Sequence, residues 1–489
     1  MSVHAGGRQW TASTFAVHGH HYALVDLHGL EPGTVTPYSV EVDGSKVWPE
    51  PEHGFPPPVV ATLKPGKPLR LAYGSCRTSV PHDSAGNRTH GVDALRAYAL
   101  KMISGTDERW PDLVVFLGDQ VYADLTSEQM QEFIKSRRDI SEPPGEELQD
   151  YEEYAHLYYL AWSDPANRWL LSTLPSAMIF DDHDIRDDWN ASRTWREEMQ
   201  QKPWWHQRIV AGLASYWVYQ HLGNLSPQDR AADPVWQVIA GHHGDGEPDV
   251  SRELDRLAER ADREPESYRW SFCRDFGDTR LIVVDSRAAR NLAPDRRALL
   301  DDVEMAWLDD RMQGGFRHLL VGTSLPFLLP MGLHHLESWD EAISEGAWAG
   351  SRPAQGKSCG RLSTWSTGVP SKRASGGWRR WPGRWRTAGA ARHRKRWRSS
   401  PATSTSPTSP RWNAAPAAGS SRPSAPPSAT PCPGCCGPSA PSCPTAWPRP
   451  LARWPPARPR FRTRDCTGPR SRVPGSTTTW PASKLPPRG

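Results

Sequence analysis

The chain has no run of about 18 consecutive apolar residues, so no membrane-spanning helix is expected. Its opening residues, Met1-Ser2-Val3-His4-Ala5, carry neither a basic n-region nor an apolar h-region, and no secretory signal is read there. Cysteine is scarce in the part that can fold. Of eight cysteines only Cys76 and Cys273 lie in the first 350 residues, which excludes a disulfide framework there. A reduced, cytoplasmic protein is the resulting expectation. The far end lacks acid and aliphatics. From 351 to 489 there is one acidic residue, Asp465, against 26 of the chain's 59 Lys and Arg. Leu, Ile, Val and Phe together number six there, while Pro numbers 25 of 48. Such a segment cannot bury enough apolar surface to offset chain entropy, and it is predicted to be disordered. The formal net charge of +4 therefore averages two unlike parts, since residues 1–350 hold 33 basic and 54 acidic side chains. A single 489-residue globule is excluded. What can fold is one large domain plus a small one.

Three segments follow. Residues 1–66 alternate and are punctuated by turns, with strands predicted at His21–Leu27, Thr36–Val42 and Lys46–Trp48 and a hairpin turn at Asp43-Gly44. This reads as a small all-β unit, short of strands for a complete sandwich, as if part were missing upstream. Residues 67–350 alternate strand and helix. Strands are predicted at Leu69–Tyr73, Leu113–Leu117, Ala177–Phe180, Tyr268–Phe276, Arg280–Asp285 and His318–Gly322. Helices are predicted at Val92–Met102, Leu148–Trp162, Trp195–Leu222 and Val303–Met312. Apolar strands alternating with helices imply an α/β domain with buried sheets. Residues 351–489 form the Pro/Arg/Ser/Trp-rich tail, and no internal repeat is visible.

Polar clusters sit at strand ends. They are Gly74-Ser75-Cys76-Arg77, then Gly118-Asp119-Gln120-Val121-Tyr122-Ala123-Asp124, then Asp181-Asp182-His183-Asp184. In open α/β sheets the ligand site lies beyond the carboxyl ends of the strands, so these clusters are expected to converge. Together they supply a thiolate, a phenolate, carboxylates and an imidazole, a mixed set suited to a metal pair. Singly, each has a plainer reading. Gly-Asp after a strand is often only a turn or cap. A lone cysteine is more often a small buried hydrophobe. Asp-Asp-His-Asp could be a solvated helix start. Three such clusters in order, each at a strand end, favour function.

These motifs resemble the alkaline-phosphatase-D-like (PhoD-like) branch of the calcineurin-type metallophosphatases. The matching residues are Tyr73-Gly74-Ser75-Cys76-Arg77, Gly118–Tyr122, Phe180-Asp181-Asp182-His183-Asp184 with Asp187-Asp188-Trp189-Asn190, Val284-Asp285-Ser286-Arg287, and Gly322–Pro326 followed by His334-His335. The resemblance covers roughly residues 10–350. It implies a four-layer α/β/β/α catalytic domain after a small fibronectin-III-like unit, and hydrolysis of phosphate mono- or diesters. Carried onto this sequence, Cys76, Asp119 and Tyr122 are implied ligands of one metal, Fe3+. Asp119 is the implied bridge to a second, Ca2+, which Asp182 also holds. His183 is the implied acid or phosphate-orienting group, and Arg77 an implied phosphate contact. The implied partner is a small phosphate ester.

The resemblance fails at one place. The family's further motif, Gly-Asp-Val-His, does not follow Trp348, and Gly244-Asp245 precedes the strands it should follow. The tail composition is what GC-rich DNA encodes in an unselected frame. Codons that encode Ser400–Thr405 permit Gly-Asp-Val-His when read one base out of register. The shifted reading of Ser406–Trp412 permits Phe-Ser-Tyr-Val-Ala-Glu-Val, similar to the family's continuation. A frame slip near residue 350 is therefore expected, leaving an incomplete domain that is inactive or weakly active as written. The alternative function is nucleic-acid binding by the tail, where Arg392–Arg398 and nine tryptophans interleave aromatics with positive charge. The Cys432–Cys436 cluster lacks a partner pair for zinc.

Overall fold

The computed structural model describes residues 1–344 apart from 52–53, 106–109, 294–295 and 326–329. The tail expected over 351–489, and with it the frame-slipped segment, lies outside the described residues.

The first 61 residues are built from strands β1 (Ser2–Ala5), β2 (Arg8–Thr11), β3 (Phe15–Val17), β4 (His20–Tyr22), β5 (Val35–Val42), β6 (Ser45–Trp48) and β7 (Val59–Ala61). One sheet runs β2-β1-β5-β6 with β7 also on β5, and β3 and β4 form a separate hairpin. The β5–β6 hairpin turns at Asp43 and Gly44 with φ of 50° and 75°, the left-handed pair that a two-residue hairpin needs. The strand expected over His21–Leu27 stops at Tyr22. Its partner β3 begins at Phe15, which pairs with Tyr22, so the ladder has no further register to offer.

Two three-stranded sheets follow. β8 (Leu71–Gly74), β9 (Leu113–Leu117) and β10 (Ser176–Ile179) are parallel in the order β10-β9-β8. β11 (Phe272–Phe276) pairs antiparallel with β12 (Thr279–Val284), and β12 pairs parallel with β13 (His318–Thr323). Strand residues alternate between faces. Val114, Phe116 and Met178 pack with Ala99, Met102, Trp169 and Leu170 of the helices Ala94–Ile103 and Pro165–Leu171. Leu113, Val115, Ala177 and Ile179 join Leu281 and Val283 in a second apolar cluster. Ile282 and Val284 pack with Leu308 of the helix Asp302–Arg311. This alternation is what a helix/sheet/sheet/helix stack requires.

The helix expected over Trp195–Leu222 is broken. Arg193–Gln200 and Trp205–Tyr216 are separate helices flanking Pro203, which lacks the N–H needed to continue a helix. A π-helical turn, Trp217–His221, extends the second. No helix among the described residues is long and apolar enough to cross a membrane.

Candidate metal centre

The loops after β8, β9 and β10 meet backbone to backbone. Cys76 donates its N–H to the Gly118 carbonyl at 3.1 Å, and Arg77 donates to the Asp119 carbonyl at 3.0 Å. Gly118 is required at its position: its φ is +114°, and an added Cβ would lie 2.6 Å from the Asp181 Cβ. Strained backbone gathers here. Cys76, Asp119, Asp188 and Asn190 have φ of 60°, 49°, 63° and 54°. Such left-handed residues persist only where surrounding structure over-determines them.

Asp119, Asp181 and Asp182 each offer a carboxylate oxygen, and these atoms lie within 4.8 Å of one another. A second group of the same kind is Asp182, Asp187 and Asp188. Burial and then the charges of Asp181 and Asp182 push the Asp119 carboxyl up to about 7. Burial is also the main cause that lifts the Cys76 thiol to about 11, and the Asp119 carboxylate adds to it. The Tyr122 phenol is raised by burial, then by Asp119 and Cys76, so these three donors share one corner. Asp184 is wholly buried and serves the scaffold, accepting from Gln120 N at 3.2 Å, Val121 N at 3.3 Å and Asp181 N at 2.9 Å.

His183 joins the same corner. Its backbone N–H reaches Asp119 Oδ1 at 3.3 Å, and its ring stacks on Tyr122 with centroids 4.7 Å apart. Its Nδ1 lies 2.9 Å from both carboxylate oxygens of Asp124. Burial alone would lower this imidazole, but the Asp124 hydrogen bond and charge, with Asp119 and Asp182, carry it up to about 9. Nδ1 is thus the donor and Asp124 the acceptor.

The structure brings Cys76, Asp119, Tyr122, Asp182 and His183 together and leaves the Arg77 side chain out. Its Nε and Nη2 bind Asp93 Oδ2 at 3.1 and 2.9 Å, and its Nη1 binds the Ala161 carbonyl at 2.7 Å. The arginine on the carboxylates is Arg287, with Nε on Asp181 and Nη2 3.0 Å from Asp182 Oδ1. Reading the sequence missed Arg287, Asp124 and Asp181 as site residues. All three lie inside motifs it singled out, but spacing does not say which member of a motif turns inward. Several buried carboxylates beside a thiol and a phenol fit a cation: they gather negative charge that Arg287, His183 and Arg290 offset only in part.

Comparison with known proteins bears on this region directly. Residues 95–313 match the PhoD-like phosphatase family. That stretch is PhoD-like. Residues 1–60 match a domain of unknown function (DUF7800). A solved structure titled "Structure of PhoD" is 16% identical, with a TM-score of 0.40, and the match covers 63% of this chain and 50% of that one. This chain thus corresponds to half the length of that protein. No curated protein matches the sequence. Asp119, Tyr122, Asp124, Asp181, Asp182, His183 and Arg287 all fall inside the PhoD-like match, whereas Cys76 and Arg77 precede it. Two pockets flank the PhoD-like centre. One of 510 Å³ is lined by Cys76, Arg77 and His82, and one of 520 Å³ by Asp124, Asp187 and Trp195. A larger pocket of 980 Å³, lined by His18, Asp150, His206 and Asp255, contains none of the site residues.

Proposed function

We propose that the PhoD-like region is a metal-dependent phosphoesterase acting on small phosphate mono- or diesters. The observation that carries this reading is the convergence of Asp119, Asp181 and Asp182 on one point beside His183, within the family match. Cys76, Tyr122 and Asp119 would hold the iron that thiolate and phenolate donors favour, and Asp119 with Asp182 would hold calcium. Bound cations would neutralise phosphate charge and lower the pKa of a water. The chain's own groups then have separate tasks. Asp124 fixes the His183 tautomer and keeps the imidazole protonated into the alkaline range, so His183 can hold a phosphoryl oxygen or give a proton to the departing alcohol. The carboxylate loops set the position of the phosphorus, and the two flanking pockets leave room for the ester group on either side.

The test is hydrolysis of p-nitrophenyl phosphate and bis-p-nitrophenyl phosphate by the full chain supplied with Fe3+ and Ca2+. Asp119→Asn should remove whatever metal-dependent rate the chain retains as written, and should lower the rate of the chain with Gly-Asp-Val-His restored at least about a hundredfold. Equal rates with and without Asp119 in the restored chain would sink the reading. The same proposal includes a one-base slip of the reading frame near codon 350, which removes Gly-Asp-Val-His. Sequencing codons 340–415 tests that part: a one-base correction that restores Gly-Asp-Val-His makes the tail an artefact and residues 1–350 part of an intact phosphoesterase, whereas a confirmed frame means a truncated chain with poor cation retention and little activity.

A further inference from the structure

We propose that Arg287 is a positioning residue of the metal centre, an internal cation that holds Asp181 and Asp182 assembled in the metal-free protein and gives up Asp182 when a cation binds. The proposal rests on the cation-site reading above. Arg287 is 5% exposed, and its guanidinium spans both carboxylates, with Nη1 on the Trp189 carbonyl at 3.4 Å. An arginine cannot shed its proton to escape this environment, so it stays a fixed positive charge.

The backbone that presents it is pinned from both sides. Asp285 is fully buried after β12, and its carboxylate accepts the N–H of Arg287 at 2.7 Å, Ala288 at 2.9 Å and Ala289 at 2.8 Å. Asn190 Nδ2 donates to the Arg287 carbonyl at 3.3 Å, and Arg290 Nη1 donates to the Asn190 carbonyl at 3.1 Å. The turn after β12 and the loop after β10 are therefore one hydrogen-bonded unit. The side chain is freer than its backbone, because a guanidinium can keep one carboxylate while leaving another.

Charge decides which it leaves. A cation shared by Asp119 and Asp182 would lie close to the guanidinium, and like charges in so buried a site repel strongly. Nε and Nη2 share one edge of the guanidinium, so a tilt about the Nε–Asp181 bond takes Nη2 off Asp182 while Asp181 is retained. Asp182 keeps a hydrogen bond after the exchange, since its Oδ2 accepts the Asp188 N–H at 3.0 Å. Removing the guanidinium would thus raise the energy of the metal-free state more than that of the loaded state, and tighten cation binding.

The experiment uses the full chain, stripped with chelator, and manganese as the probe. Unfolding midpoints and manganese affinities are measured for the wild type, Arg287→Met, Arg287→Lys and the double variant Arg287→Met/Asp181→Asn. The expected result is a lower metal-free midpoint for Arg287→Met, largely restored in the double variant, with manganese bound about tenfold more tightly by Arg287→Met than by wild type. Arg287→Lys should fall between them, and it carries the test if Arg287→Met does not fold. Unchanged or weaker manganese binding in the variants, with the wild type binding normally, overturns the proposal alone. If no protein in the set binds manganese, the cation-site reading fails and the proposal falls with it.

Discussion

His183 is charged because of Asp124. Its imidazole would be pushed below its ordinary range by burial, yet the carboxylate 2.9 Å from Nδ1 brings it up to about 9. A raised pKa gives a proton donor that works below that value and fails as the pH rises through it. Asp124→Asn removes the main raising partner, so the alkaline limb of a pH–rate profile should move to lower pH. The rate at the optimum should fall by about a hundredfold, the scale of one positioned acid. An unshifted limb would mean that His183 does not supply the proton. Neighbouring groups in the same site were unequally legible in the sequence. The clusters that hold Cys76, Asp119 and Asp182 could be read because each follows an apolar strand, whereas those three members were singled out by the family resemblance. Arg287 could not, because its partner Asp181 is 106 residues away and only the meeting of the turn after β12 with the loop after β10 joins them.

At the scale of elements, the helix Trp205–Tyr216 is the buttress of the loop that carries Asp181 to Asn190. Arg208 on that helix is fully buried, binds the Ile185 carbonyl through Nε at 3.0 Å and Nη2 at 2.6 Å, and reaches Glu147 through Nη1 at 2.5 Å. One turn on, Gly212 lets Ile185 approach: an added Cβ would lie 2.5 Å from Ile185 Cδ1 and 2.9 Å from the Tyr154 hydroxyl. Gly212→Ala should therefore cost about 1–3 kcal/mol in urea unfolding and loosen the loop at the same time. A variant as stable as wild type would show that helix and loop shift apart freely. The following π turn holds His221, wholly buried, with neither ring nitrogen hydrogen-bonded among the described residues. Burial pushes its pKa down to about 3, below the ordinary 6.5. The unfolded chain thus binds the extra proton, so this contribution is intact above pH 6.5 and is lost as the pH falls toward 3. Between pH 7.5 and 5.5 wild type should lose about 1 kcal/mol that His221→Phe keeps, measured as the difference in unfolding free energy. Periodicity placed these helices but merged them, since apolar residues recur at helical spacing on both sides of the break. Pro203 was the visible sign of the break, and nothing local marks a π turn. The same limit applied to His21–Leu27, whose alternation fits a strand although β3 offers it a partner only as far as Tyr22.

Across the whole molecule the dominant fact is charge carried in two blocks, 54 acidic against 33 basic residues in 1–350 and 26 basic against one acidic residue beyond. An acidic region repels long polyanions except where cations reverse the field locally, which agrees with the small phosphate esters proposed as its substrates. A tail rich in arginine and tryptophan does the opposite, gaining affinity for any polyanion by releasing its counterions. The two functional readings therefore belong to different parts of the chain, and deletion of 351–489 separates them. The full chain should be retained on immobilised heparin and on single-stranded DNA, with retention falling steeply between 50 and 200 mM salt. The truncated chain should flow through both, while its manganese-induced rise in unfolding midpoint stays that of the full chain. Retention surviving the deletion would put polyanion affinity in the PhoD-like region and remove the charge argument for small substrates. Equal affinity of the full chain for heparin and for DNA would reduce the tail to a charge effect, because a nucleic-acid binder that stacks bases on tryptophan should prefer the ligand that has bases.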